Sequence, residues 1–259
     1  MRRIRIAAAL ALVPVVVAAC APSGADPTAA SQAAAAPATS ATVEPSPSLS
    51  ATTPETSESP SARATVDPDA KVIYLTFDDG PWVPYTQQIL DVLAEHDATA
   101  TFFVVGQMVA EHPELAKKVT AAGHAIGNHT WDHSDLTTLS DDQIRWQLSK
   151  TAEAVGPAMA ACMRPPYGSQ NDRTKAVIKK AGYRSYLWDY WAEDWNQPPI
   201  PQFLDYLETA TEDGSNILLH DGGGDRPNTV EAVSLMMPRW IKKGYTFEAL
   251  PGCLTRHEG

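Results

Sequence analysis

Strand-like and helix-like segments alternate along the second part of this sequence. Runs of β-favouring apolar residues, such as KVIYLTF (71–77) and SNILLH (215–220), are separated by segments with apolar residues at helical spacing. One helix-like segment, LSDDQIRWQLSKTAEAVG (139–156), has Ser140 in a favourable N-cap position. Because the connections are short, the alternation predicts an α/β domain of parallel strands joined by helical crossovers, either a barrel or an open doubly wound sheet.

The first 70 residues have a different composition. The sequence MRRIRIAAALALVPVVVAAC opens with arginines and an apolar stretch too short for a comfortable membrane span, which indicates a secretory signal. Its end resembles the lipobox of bacterial lipoproteins, which implies a lipoprotein signal peptide over 1–19 and lipidation of Cys20. An ordinary signal peptide with a chance cysteine, and a secreted product, is the alternative. Residues 20–70, rich in Ala, Ser, Thr and Pro, are expected to form a disordered linker.

The remaining segment, 71–259, is long enough for one sizeable core and is acidic. Of 20 Lys and Arg and 31 Asp and Glu in the chain, four and six precede residue 71, which leaves 16 positive and 25 negative charges, a net charge of −9. Nucleic acid requires a basic surface and is a poor match, whereas a neutral or cationic substrate fits. The lipid anchor would hold the domain, as a monomer, outside the cytoplasm on the cell membrane.

Two cysteines remain in the predicted domain once Cys20 is assigned to the anchor. In an exported chain, Cys162 and Cys253 are expected to form a disulfide. Two separately buried thiols are the alternative.

Polar residues follow several of the predicted strands directly. They are Asp78-Asp79, His129 to His133, Arg164 and His220-Asp221. The carboxyl ends of parallel strands are where active sites of α/β folds gather, so these residues are expected to share one site.

A metal site is one interpretation of these residues. His129 and His133 have three residues between them and can converge on one ion from a helical turn or a tight loop. Catalytic zinc often takes two histidines and one carboxylate. Asp78 and Asp79 would point in different directions, so one can bind the ion while the other acts as a base. Spacing alone leaves open which aspartate does which, and each motif alone can be incidental.

Four further residues are candidates for catalysis or substrate contact. His220 can act as a general acid, because an imidazole ordinarily has a pKa near neutrality, with a buried structural histidine as the alternative. Arg164 can hold a carboxylate ionised, and the prolines after it make the Tyr167 N–H the first free amide, which suits an oxyanion hole. Trp195 is a candidate for stacking on sugar rings, although core packing is the commoner use of tryptophan.

Five short motifs occur in the order found in the polysaccharide deacetylases. They are TFDDG (76–80), HTWDH (129–133), RPPYG (164–168), EDW (193–195) and LLHD (218–221). The domain therefore resembles the NodB-homology domain of carbohydrate esterase family 4, from residue 71 to about 250. The resemblance implies a distorted, incomplete (β/α) barrel that binds a divalent ion, usually zinc, with Co²⁺ as another option.

The resemblance also implies roles for individual residues. The metal ligands would be Asp79, His129 and His133. The catalytic groups would be Asp78 as general base, Arg164 to orient and tune it, the Tyr167 amide for the oxyanion and His220 as general acid. The substrate would contact Trp195 and Leu218, which line the acetyl pocket, together with Pro165 and Tyr167.

The fourth motif departs from the family pattern. Many members read Asp-x-x-Asp-Trp there, and the first aspartate tunes the acid histidine. In this sequence the matching position is Trp191, and only Asp194 and Trp195 remain. Either Asp189 or another carboxylate takes over, or His220 is less strongly tuned.

The expected function is metal-dependent hydrolysis of N-acetyl groups on an amino-sugar polymer, with N-acetylglucosamine or N-acetylmuramic acid of peptidoglycan as the substrate. Within the same class, an acetylxylan esterase or a chitooligosaccharide deacetylase is the alternative. A lipoprotein that binds metal or glycan without turnover is a third candidate, but the presence of both Asp78 and His220 argues against it.

Overall fold

A computed structural model describes residues 70–257, so the predicted signal peptide, Cys20 and linker lie outside the described residues. Eight strands and seven α-helices are present between these bounds. The strands are β1 (Lys71–Asp78), β2 (Thr101–Val104), β3 (Ala125–Asn128), β4 (Met159–Met163), β5 (Arg184–Ser185), β6 (Tyr190–Trp191), β7 (Ser215–His220) and β8 (Tyr245–Phe247).

Most of the helices alternate with these strands. They are α1 (Tyr85–Ala94), α2 (Gly106–Glu111), α3 (Pro113–Ala121), α4 (Asp141–Val155), α5 (Asp172–Lys180), α6 (Ile200–Ala210) and α7 (Pro227–Lys242). Within residues 70–257, none of the helices has the length and apolar character needed to cross a membrane.

The strands form one curled parallel sheet. Its order is β5-β4-β3-β2-β1-β7-β6, and β8 pairs with the first residues of β1. All pairs among these eight strands are parallel, as expected for strands joined by helical crossovers. Strands β5 and β6 lie at opposite ends of the order, so the barrel is incomplete. The predicted distorted, incomplete (β/α) barrel is confirmed.

The segment between β5 and β6 crosses the opening of the barrel. The sequence of residues 183–189 predicts a single strand, but this prediction is wrong. The Tyr186 N–H donates to the Met163 carbonyl at the end of β4, whereas the Asp189 N–H donates to the Asn216 carbonyl in β7. Because these partners lie on strands at opposite sides of the opening, the segment cannot follow one neighbour as a continuous strand would.

Apolar side chains on the helix-facing side of the sheet form the main core. Ile73, Leu75 and Phe77 alternate along β1 and are fully buried. Phe77 stacks on Phe102 of β2 with ring centroids 5.1 Å apart, and Trp240 of α7 is buried in the same core. Alternate residues of β1 and the apolar residues at helical spacing in α7 are thus buried against each other in one core.

A smaller cluster fills the opposite side of the sheet and contains the disulfide. Phe103 points away from its neighbour Phe102 and packs in a cluster with Cys162 and Cys253, which are bonded to each other. Gly127 permits this packing, because a Cβ atom there would lie 2.5 Å from the Phe103 ring and 2.9 Å from the Cys162 sulfur. The Arg164 guanidinium lies over the Phe103 ring at 4.3 Å, so this cluster supports Arg164 from below.

Helix α4 begins as its sequence predicts. The Ser140 hydroxyl accepts a hydrogen bond from the Gln143 N–H, and the Gln143 side chain accepts one from the Ser140 N–H. This capping box satisfies two backbone donors that the first helical turn would otherwise leave unpaired.

Replacing Ser140 with alanine is expected to lower the free energy of unfolding by about 1 kcal/mol, because the cap is lost. Ser149→Ala is the matched control, since that exposed serine lies inside the same helix, where alanine has the higher helix propensity. Urea denaturation of both variants checks the expectation. Equal loss of stability in the two variants would contradict it.

Candidate active site

The predicted polar residues converge at the carboxyl ends of the strands. Asp78 ends β1 and is paired in register with His220, the last residue of β7. His129 directly follows β3, and Arg164 directly follows β4. A cavity of about 490 Å³ opens between them. The predicted site residues that line it are Asp78, Asp79, His129, His133, Tyr167, Trp195, Leu218 and His220.

Arg164 is fully buried beneath this cavity and holds Asp78. One guanidinium nitrogen donates hydrogen bonds to Asp78 Oδ1 at 2.8 Å and to Thr76 Oγ1 at 2.8 Å. The second terminal nitrogen, Nη2, donates to the Leu187 carbonyl at 3.0 Å and to Asn216 Oδ1 at 3.2 Å. Burial lowers the pKa of Arg164, and the adjacent Asp78 carboxylate opposes that shift. The result is a paired and hydrogen-bonded charge of the kind that interiors tolerate.

The two adjacent aspartates separate because Asp79 leaves the extended conformation. Asp79 has a φ of 74°, in the left-handed region, whereas Asp78 is the last residue of β1. Gly223 lies close to this turn, since a Cβ atom there would be 2.5 Å from Asp79 Oδ2. Asp78 thus points to the buried arginine, and Asp79 points towards the two histidines.

Asp79, His129 and His133 form a group that can hold a metal ion. Asp79 Oδ1 lies 3.4 Å from His129 Nε2 and 3.2 Å from His133 Nε2. One ligand atom from each residue lies within 4.8 Å of the other two. The histidines come from a tight loop rather than a helical turn, and both Thr130 and His133 have positive φ.

Two features show that this group fits a cation. His129 Nδ1 lies 2.7 Å from the Arg164 backbone carbonyl, and because a carbonyl only accepts, Nδ1 carries the proton and Nε2 presents its lone pair to the cluster. Asp79 Oδ1 is buried and accepts no hydrogen bond from residues 70–257. A buried carboxylate oxygen without a donor is costly unless a cation balances it.

The electrostatics of the cluster agree with this assignment. Burial raises the pKa of Asp79, but the imidazole of His129, whose Nε2 lies 3.4 Å from Asp79 Oδ1, outweighs it and holds that pKa well below its usual range. Burial lowers the pKa of His133, which favours the neutral imidazole that ligates metals. Burial also opposes protonation of His129, but Asp78 and Asp79 raise its pKa overall. A cation bound between Asp79 and the two histidines would oppose protonation of His129 and so keep its ring neutral.

His220 has a buried carboxylate partner, and that partner is Asp194. His220 Nδ1 lies 2.7 Å from Asp194 Oδ1, while Asp194 Oδ2 accepts from the His220 N–H and from the Thr229 hydroxyl, each at 2.8 Å. Burial lowers the pKa of His220, but Asp194 outweighs it and raises the pKa to about 9. An aspartate at position 191, which many family members have, is therefore not needed to raise the pKa of His220. Asp189 accepts from the Asn216 N–H instead.

The remaining predicted residues lie at different depths. The Tyr167 side chain is 69% exposed, its ring meets His133 edge-on at 4.6 Å, and its φ of 59° is left-handed. Trp195 contacts His220 edge-on with ring centroids 5.4 Å apart, and Leu218 is buried in the cavity wall. Pro165, a predicted substrate contact, is buried and is not among the residues that line the cavity.

Sequence reasoning missed four residues of the site. Trp188, Gly223 and Arg226 line the cavity, and Asp194 pairs with His220. The aromatic density of residues 186–195 could have indicated Trp188, and the position of Arg226 just beyond a glycine-rich strand end could have indicated that residue. The pairing of Asp194 has no local signal, because 26 residues separate it from His220.

Comparisons with known proteins agree with this geometry. The sequence matches the Polysaccharide deacetylase family over residues 65–186. It is 38% identical over 181 residues to a peptidoglycan-N-acetylglucosamine deacetylase of Bacillus cereus, covering 68% of this chain and 85% of the relative. It is 37% identical over 197 residues to a chitooligosaccharide deacetylase of Rhizobium leguminosarum bv. trifolii, covering 71% and 92%. A crystal structure of a peptidoglycan N-acetylglucosamine deacetylase superposes with a TM-score of 0.69 at 31% identity, covering 74% of this chain and 92% of that one.

The fold and site define a hydrolase that acts on amide bonds of amino-sugar polymers. The chain belongs to the polysaccharide deacetylase family, carbohydrate esterase family 4. The motif resemblance is confirmed at this level.

Replacing His133 with alanine is expected to weaken Zn²⁺ binding by more than about 100-fold, because one of three ligand atoms is lost. Isothermal titration of chelator-treated protein with Zn²⁺ provides the measurement. His96→Ala, a histidine outside the cluster, is the control and should bind like the parent protein. Zn²⁺ affinity that is the same in both variants would rule out this ligand set.

Proposed function

We propose that this protein removes N-acetyl groups from the amino sugars of peptidoglycan, N-acetylglucosamine or N-acetylmuramic acid, with a divalent ion, zinc, as its cofactor. The observation that carries the proposal is the placement of two different acid–base groups around one metal-type cluster. Asp78 lies on one side of the cavity with Arg164, and His220 lies on the other with Asp194. A non-catalytic binding protein would have no use for both groups.

In the proposed reaction, Asp79, His129 and His133 would hold the ion, which would polarise the acetyl carbonyl and acidify a water molecule. Asp78 removes a proton from the attacking water. Its Oδ1 is occupied by Arg164, while Oδ2 lies 3.7 Å from His129 Nε2 and so faces the cluster. The arginine therefore fixes the direction in which the base acts.

His220 gives its proton to the departing nitrogen, because an unprotonated amide nitrogen is a poor leaving group. The carboxylate of Asp194 orients the ring through Nδ1, so Nε2 is the nitrogen that serves the substrate. The backbone N–H of Tyr167 donates to the oxyanion, a contact whose loss typically costs about 3 kcal/mol in barrier height. Trp195 and Leu218 enclose the acetyl methyl group. Acetate and a free amine on the sugar are the products.

Peptidoglycan is favoured as the substrate by two observations. The Bacillus cereus relative is a peptidoglycan deacetylase, and the predicted lipid anchor at Cys20 with its linker would place the domain beside the cell wall. A chitooligosaccharide deacetylase is the second candidate, supported by the similarity to the Rhizobium protein.

Acetate release from defined glycans tests the proposal. The purified domain is expected to release acetate from peptidoglycan faster than from chitooligosaccharides or acetylated xylan, and a chelator should stop the reaction because the ion is removed. Faster release from chitooligosaccharides would favour the second candidate, and faster release from xylan would contradict both.

Asp78→Asn provides the control for the assigned base. It preserves the shape of the side chain, so Zn²⁺ should still bind, whereas acetate release should fall by about 10²- to 10⁴-fold. A variant that binds Zn²⁺ and turns over at the parental rate would refute the role of Asp78.

The pH profile tests the pairing of His220 with Asp194. A general acid works while protonated, so activity should be retained below the raised pKa of His220 and lost as the pH rises through about 9. Asp194→Asn removes the charge that raises this pKa, while burial, which lowers it, remains. The alkaline limb of kcat/KM should therefore move towards neutral pH. If Asp194→Asn binds Zn²⁺ normally and its kcat/KM falls at the same alkaline pH as in the parent protein, His220 is not the general acid.

A further inference from the structure

Trp191 is a large apolar side chain left 45% exposed at the edge of the active site. It lies in β6, in parallel register with Leu218 of β7, whose side chain lines the catalytic cavity. Trp191 therefore lies one strand further out than the wall of the acetyl pocket.

An aromatic wall joins the catalytic cavity to a second cavity. Trp188 lines the catalytic cavity, and its ring meets the ring of Trp191 edge-on with centroids 6.3 Å apart. Trp191 in turn lines a separate cavity of about 510 Å³ together with Phe203 and Tyr206 of α6. The Tyr206 hydroxyl accepts a hydrogen bond from the Trp191 N–H at 3.0 Å, which ties the tryptophan to the helix.

The two cavities also share one loop. Trp195 belongs to the catalytic cavity, whereas its neighbours Glu193 and Asn196 line the second one. A polymer held by its reacting sugar must continue past the walls of the catalytic cavity. The adjoining cavity is of the size that ligand sites usually have and combines an aromatic lining with a few polar groups.

The polar groups of the second cavity indicate the class of sugar. Glu193, Asn196 and Gln202 offer hydrogen-bond donors and acceptors for hydroxyl and amide groups. Glu193 is the only charged residue among those that line this cavity, and it is negative. An uncharged or amine-bearing sugar fits beside it, whereas a carboxylate-bearing sugar would be repelled.

We propose that this second cavity binds a further sugar residue of the same glycan, uncharged or amine-bearing, and that Trp191 is the platform on which that sugar stacks. The inference rests on the proposed function, because it takes an amino-sugar polymer as the ligand. Under this proposal, Trp191 determines how strongly the enzyme prefers longer glycan chains.

The test compares Trp191→Ala with the parent protein on N-acetylglucosamine oligomers from dimer to hexamer, with Zn²⁺ bound. The ratio of kcat/KM for the hexamer to kcat/KM for the dimer should fall about tenfold, mainly through KM, because the stacking platform is lost. Trp191→Phe retains an aromatic ring and should recover most of that ratio. A parental ratio in Trp191→Ala would overturn the inference.

Trp146→Ala is the matched control. Trp146 is 50% exposed, lies on α4 and lines a different cavity of about 620 Å³, so its removal should leave the length ratio at the parental value. An equal loss of ratio in both tryptophan variants would show a general effect of surface aromatics and would also overturn the inference.

A binding measurement separates this inference from the proposed function. The Zn²⁺-bound Asp78→Asn protein and the same protein with Trp191→Ala are titrated calorimetrically with the hexamer, so no turnover is needed. About tenfold weaker binding in the double variant supports the inference even if the parent protein releases no acetate, a result that would reject only the proposed function. Equal affinities, or no binding by either protein, would overturn the inference.

Discussion

The buried ion pair between Arg164 and Asp78 is the interaction on which the active site depends. The guanidinium is fully buried, and its hydrogen bonds reach β1, β7 and the segment that crosses the barrel opening. Leaving either charge without its partner would cost about 3–5 kcal/mol, so both must be present together. The backbone carbonyl of Arg164 also orients His129 through Nδ1. One residue therefore positions the proposed base and a proposed metal ligand.

Asp79 and His220 lie on the same cavity but are held in opposite charge states by their surroundings. The pKa of Asp79 is held low by nearby histidines, whereas Asp194 raises the pKa of His220 to about 9. A carboxylate held ionised suits a metal ligand, whereas a histidine held protonated suits a general acid. The left-handed turn at Asp79 also directs the two adjacent carboxylates to different partners. Asp78 points to Arg164, and Asp79 points to the histidines.

The crossing segment between β5 and β6 links the completeness of the barrel to substrate recognition. Its backbone bonds to β4 on one side and to β7 on the other, and it carries Trp188 to the cavity wall. The same stretch continues to Trp191, Asp194 and Trp195. An incomplete barrel thus leaves an opening, and the aromatic residues of the segment that spans the opening form one wall of the catalytic cavity.

The amino-acid sequence by itself determined the alternation of strands and helices outside residues 183–189, the cap at Ser140 and the placement of polar residues at strand ends, because these depend on short-range periodicity and local hydrogen bonding. Ordered motifs were sufficient to indicate the family. Only the tertiary structure decided that Asp194 is the partner of His220, that residues 183–189 do not form one strand, and that Trp191 faces a second cavity. These features depend on which distant segments meet in space, and local sequence carries no information about that.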